Sequence, residues 1–120
     1  MEALEYRVQG RVWVCKGERS FLGPGRIRLL EKIDELGSIR AAAKALGMSY
    51  RHAWKHVEAL NREAPRPMVV TSIGGAGGGG AKLTPAGRAI LELFHHLERR
   101  FENFLKQETE NFRQRIKNLD

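Results

Sequence analysis

Apolar residues recur every three or four positions along most of this chain, and every second position only near its start. Tyr6, Val8, Val12 and Val14 share one face of residues 6–15, and Arg7, Gln9, Arg11 and Trp13 share the other. That alternation predicts a half-buried strand. Lys16-Gly17-Glu18-Arg19 can turn it into a short return over residues 20–22, giving an N-terminal β-hairpin. Gly23-Pro24-Gly25 breaks the sheet, and Pro24 suits the first position of a helix. Ile27, Leu29, Leu30, Ile33 and Leu36 then mark an amphipathic helix that stops at Gly37.

The pattern over residues 38–61 carries the most information. Ser38 can accept from orphan N–H groups of a first turn. Ile39, Ala42, Ala43 and Leu46 follow at helical spacing, and Gly47 supplies a C-terminal stop. Met48 can plug the turn, Ser49 can cap a second helix, and Ala53, Val57 and Leu60 give that helix its buried face. Two packed core helices would explain the apolar seam alone. The tight Gly-Met-Ser turn and the outward set Tyr50, Arg51, His52, Lys55 and His56 favour a helix-turn-helix that meets DNA. Pro65 and Pro67 end the second helix.

β-branching predicts a strand over residues 68–73. Gly74 to Gly80 then holds six glycines in seven residues, and residues 81–84 supply a returning strand. A helix-turn-helix followed by such a hairpin is a winged helix, with the glycines at the wing tip. Glycine there tolerates positive φ and lets backbone approach a phosphate. The glycines do not make an NTPase loop, because Gly80 is followed by Ala81 and no Lys-Ser/Thr pair. The dinucleotide pattern G-x-G-x-x-G is met formally by Gly75-Ala-Gly77-Gly-Gly-Gly80, but six glycines in seven satisfy many patterns, and the positions about 20 residues on, near Glu98 and Glu102, fall inside a helix rather than after a second strand, so that reading is not favoured.

From Pro85 the chain is predicted helical to about Lys117, with Thr84 as cap, a length of roughly 50 Å. Ile90, Phe94, Leu97, Phe101 and Phe104 step by four and three, the spacing of a coiled-coil seam. The stripe then shifts to Leu105, Phe112, Ile116 and Leu119, interrupted by Glu108 and Thr109. The expected fold is thus mainly α with a small β component. It is a winged helix-turn-helix over residues 1–84, with N-terminal strands, followed by a dimerisation helix over residues 85–120.

Charge sharpens the reading. The net charge is +7, and residues 1–88 carry 15 Lys/Arg against 8 Asp/Glu, whereas residues 89–120 carry 6 of each. The basic excess therefore lies wholly with the helix-turn-helix part, as a polyanion partner requires. Cys15 is the single cysteine, which excludes an internal disulfide and a Cys-rich zinc site and suits a reducing cytoplasm, the expected location. No apolar run is long enough for a membrane span, and residues 1–5 lack a signal-peptide core. No nucleophile with its base, no paired acids and no metal cluster stand out, so an enzyme and a cofactor are not expected. One alternative within regulation is a metal sensor, since His52 and His56 are four apart on one helix and His95-His96 lie on the long one.

Several separate segments resemble the DNA-binding domain of the ModE family, the molybdate-responsive transcriptional regulators. They are Gly23-Pro24-Gly25-Arg26-Ile27 through Leu30, then Gly37-Ser38-Ile39 with its Ala-rich helix. Gly47-Met48-Ser49-Tyr50-Arg51 with Ala53-Trp54 follows, and Gly74 through Thr84 completes the set. The family often has Lys where this chain has Arg51. The resemblance covers about residues 6–100. It implies a LysR-like winged helix-turn-helix that dimerises through terminal helices and regulates molybdate- or tungstate-related genes. Full-length members carry a C-terminal oxyanion-binding module, and the sequence to Asp120 has no β-rich segment for one. Taken as a complete chain, it is expected to be a stand-alone DNA-binding member or one served by a separate oxyanion-sensing protein. The expected DNA-facing residues are Ser38, Arg40, Ser49, Tyr50, Arg51, His52, Lys55, Gly77, Gly78 and Lys82. The expected homodimer seam is Ile90, Phe94, Leu97, Phe101 and Phe104.

Overall fold

The computed structural model describes residues 4–73 and 79–119. Two strands, β1 (Val14–Lys16) and β2 (Arg19–Leu22), form an antiparallel hairpin, and helices α1 (Pro24–Leu36), α2 (Ile39–Leu46) and α3 (Tyr50–Glu63) follow. A second antiparallel hairpin joins β3 (Val69–Ser72) to β4 (Gly80–Leu83), and α4 runs Pro85–Lys117. The order helix-helix-helix-hairpin is a winged helix-turn-helix.

The helix boundaries follow local chemistry. Ser38 Oγ accepts from Ala41 N at 3.1 Å, and Ser49 Oγ accepts from His52 N at 3.0 Å. Each hydroxyl thus satisfies one orphan donor of a first turn. Gly37 and Gly47 close α1 and α2 in the left-handed region, at φ +69° and +68°, where a Cβ would be strained. Thr84 Oγ1 accepts from Gly87 N at 3.0 Å and starts α4 next to Pro85. Leu29, Leu30, Ile33, Val57, Leu60, Met68 and Phe94 form the fully buried centre.

The molecule divides into two compact units, Trp13–Phe94 and Met1–Val12 with His95–Asp120. The first turns of α4 belong to the winged helix, because Leu91 and Phe94 are needed to close its core. Phe94, only 2 % exposed, is core and is not free for a dimer seam. Ile90 is half-buried in the same unit.

The predicted strand over residues 6–15 is also corrected, since only Val14 and Cys15 of it are in β1. The preceding residues run antiparallel along the second part of α4 within their own unit. Val8 N donates to Thr109 Oγ1 at 2.9 Å, and Arg113 Nε donates to Tyr6 O at 2.7 Å. The Tyr6 and Phe112 rings lie 5.7 Å apart, and Gly10 lies against Phe101. Thr109, an interruption in the apolar stripe, is buried and also donates to Leu105 O at 2.7 Å. Its hydroxyl therefore serves both the arm and the helix.

Candidate nucleic-acid interface

Helix α3 packs against α2 and β2 and buries Ala53, Val57, Ala59 and Leu60. The same geometry leaves Tyr50, Arg51, His52 and Lys55 exposed on the opposite face. Arg40, on α2, and Lys82, on β4, are exposed as well. Ser38 and Ser49 are engaged as caps through their oxygen lone pairs, which leaves each O–H free to donate. Trp13–Phe94 thus brings Ser38, Arg40, Ser49, Tyr50, Arg51, His52, Lys55 and Lys82 into one unit. Gly77 and Gly78 lie outside the described residues.

The wing is fixed to this helix pair by contacts that the sequence pattern does not announce. Asn61, on α3, accepts from Met68 N at 2.8 Å and Val69 N at 3.0 Å through Oδ1 and donates through Nδ2 to Val69 O at 3.0 Å. Ala81 N donates to Gly37 O at 2.9 Å, tying β4 to the α1–α2 junction. A polar residue just before the Pro65 and Pro67 chain break is the one sequence signal that could have found the Asn61 clamp. Beside it, a cleft of about 410 Å³ opens between α3 and the wing strands, lined by Arg40, Tyr50, Trp54, Thr71, Ser72 and Gly80 among others.

The histidines on α3 are wired together. Arg26 Nε donates to His56 Nδ1 at 3.0 Å, and the His56 and His52 Nε2 atoms are 3.1 Å apart. With Nδ1 accepting, His56 must carry its proton on Nε2 and donate it to His52. Among the described residues no group of three or more His, Cys, Asp or Glu could hold a metal.

Burial, then the Arg26 charge, then His52 push the His56 pKa below its ordinary value of 6.5. The folded state thus disfavours a proton that the unfolded chain accepts, and stability is lost as pH falls below the ordinary histidine value. The urea midpoint of the wild type should fall as pH drops below about 6.5 more than that of His56→Gln. Identical pH dependence of the two would contradict the neutral relay.

Known proteins define the class. Residues 25–88 match the family described as bacterial regulatory helix-turn-helix protein, lysR family. The chain belongs to that family and carries its DNA-binding domain. It is 45 % identical over 83 residues to the transcriptional regulator ModE of Haemophilus influenzae, covering 69 % of this chain and 32 % of that protein. It is 43 % identical over 89 residues to the molybdenum transport protein ModE of Azotobacter vinelandii, covering 74 % and 33 %. The chain therefore spans about a third of the length of these relatives. The fold is shared with ArgP from Mycobacterium tuberculosis at a TM-score of 0.53 and 23 % identity, over 73 % of this chain and 31 % of that one. Among the described residues no helix is long and apolar enough to cross a membrane.

Proposed function

We propose that this protein is a sequence-specific regulator of transcription that inserts α3 into the major groove of double-stranded DNA, with the wing alongside. The observation that carries this is the exposed, hydrogen-bonding first turn of α3 with Arg40 beside it, in the unit that holds most of the basic excess. Base edges are reached from the first turn of such helices. Arg51 sits there and suits a guanine, whereas Lys55, one turn on, suits a phosphate. The likeness to ModE proteins supports molybdenum-related genes as targets. It also supports an oxyanion signal that reaches this domain through another module or a separate sensing protein.

We further propose a homodimer held by the second part of α4. Phe101 and Phe104 stack with centroids 6.2 Å apart, and Phe104 and Phe112 are exposed at 55 % and 49 %. An apolar stripe of that kind in a soluble chain points to a partner surface. Leu97, Phe101 and Phe104 remain seam residues in this reading, without Phe94.

Arg51→Ala should cost about 1–3 kcal/mol on a selected DNA site and relax base preference. Lys55→Ala should weaken selected and random duplexes alike, with a shallower salt dependence. Gel-shift titrations check both. Equal loss for Arg51→Ala on selected and random DNA would remove that residue from base readout.

A further inference from the structure

The cleft between α3 and the wing is organised around one aromatic ring. The Arg40 guanidinium carbon lies 4.2 Å from the centroid of the Tyr50 ring. Trp54 meets the same ring edge-on, with centroids 6.3 Å apart and planes at 85°. Tyr50 is the first residue of α3 and Arg40 the second of α2, so the stack bridges the N-terminal ends of the two helices in the motif. Arg40 is exposed, and among the described residues no carboxylate pairs with it. Its charge is held by a ring and left unneutralised.

A guanidinium lying over a ring keeps its flat face on the aromatic face and its N–H groups pointing outward at the edge. That edge is a two-pronged donor suited to the oxygens of a phosphate. Without the ring, a long arginine side chain on a helix surface samples many rotamers and loses that freedom on binding. With the ring, the ordering is done before DNA arrives. Tyr50 is itself fixed by Trp54, which is half-buried in the unit. The first helix of the motif also crosses the sugar-phosphate chain in such complexes, which places a residue at its start near phosphate rather than near a base.

We infer that Arg40 and Tyr50 form one phosphate clamp on the DNA backbone, Arg40 making the contact and Tyr50 acting as its positioning residue. This rests on the DNA-binding reading and adds a division of labour within it. Tyr50 contributes to affinity through a charge it does not carry, so its removal changes the electrostatics of binding.

The test is a titration of the whole chain against a random-sequence duplex at several salt concentrations. It compares wild type, Arg40→Ala, Tyr50→Leu, Tyr50→Phe and the double variant Arg40→Ala/Tyr50→Leu, with far-ultraviolet circular dichroism and thermal unfolding to confirm each fold. Arg40→Ala should lower affinity by roughly tenfold and reduce the slope of log K against log salt by about one. Tyr50→Leu should reduce the slope in the same direction although no charge is lost. Tyr50→Phe, which keeps the ring, should keep the wild-type salt slope whatever its hydroxyl adds to affinity, and the double variant should lose little beyond Arg40→Ala. A folded Tyr50→Leu with a wild-type slope, or losses that add in the double variant, would overturn the clamp. An Arg40→Ala protein that binds like wild type would overturn it equally. A wild type that binds no duplex would instead bring down the DNA-binding reading beneath it.

Discussion

Phe101→Glu combined with Phe104→Glu is expected to give a monomer in sedimentation at micromolar concentration and to lower affinity for a two-half-site DNA by about 100-fold or more. Phe104 is half in solvent in the single chain, and its ring stacks on Phe101. In the proposed dimer both rings leave water together, and two glutamates at the seam would bring four like charges into an apolar contact, which dimerisation cannot tolerate. The DNA effect exceeds any local contact because each protomer otherwise tethers the other at an effective concentration in the millimolar range. Phe104→Glu alone is the control for folding, since that side chain already borders solvent. A double variant that stays dimeric, or a monomer that binds the full site as tightly as wild type, would remove this seam.

Gly87→Ala is expected to be the most destabilising single methyl addition in the winged helix. A Cβ at Gly87 would lie 2.2 Å from Met68 O, 3.0 Å from Met68 C and 3.2 Å from Met68 Cα. All three are backbone, and Met68 is fully buried, so the neighbour cannot swing aside. Met68 O also accepts from Thr84 N at 2.9 Å, so a shift there disturbs the start of α4 as well. Overpacking against rigid backbone should cost about 3 kcal/mol. For a unit of this size that lowers the thermal midpoint by roughly 12–24 °C. Gly25→Ala is the matching control: it too lies in a helix, and a Cβ there meets nothing within 4 Å. Equal midpoints for Gly87→Ala and Gly25→Ala would refute the close approach of α4 to the wing strand.

The helix-turn-helix was readable because its boundaries are written in single residues. Ser38 and Ser49 cap, Gly37 and Gly47 stop, and Pro24 and Pro85 start helices, each by a mechanism that acts within four residues. What failed was whatever depended on the partner of an apolar face. Alternation over residues 6–15 shows a chain with one dry side. It does not say whether a strand or a helix covers that side, and over residues 6–10 α4 does. Thr109 held the clue, a hydroxyl in an apolar stripe that serves a passing backbone N–H. Phe94 fits the four-three spacing of a seam equally well whether a second chain or its own core buries it. Asn61 and the Arg26–His56–His52 relay were missed for a related reason, since side chains 8 and 30 residues from their partners leave no periodic trace.

Guanine N7 lies in the major groove and nowhere else, so methylation interference on a selected operator tests the central claim most directly. If α3 reads bases, methyl groups at N7 should block binding at one or two guanines in each of two patches about 10 base pairs apart. Arg51→Ala should lose the interference at one guanine per patch. Tight, sequence-specific binding that no N7 methyl group disturbs would contradict the placement of α3 in the major groove.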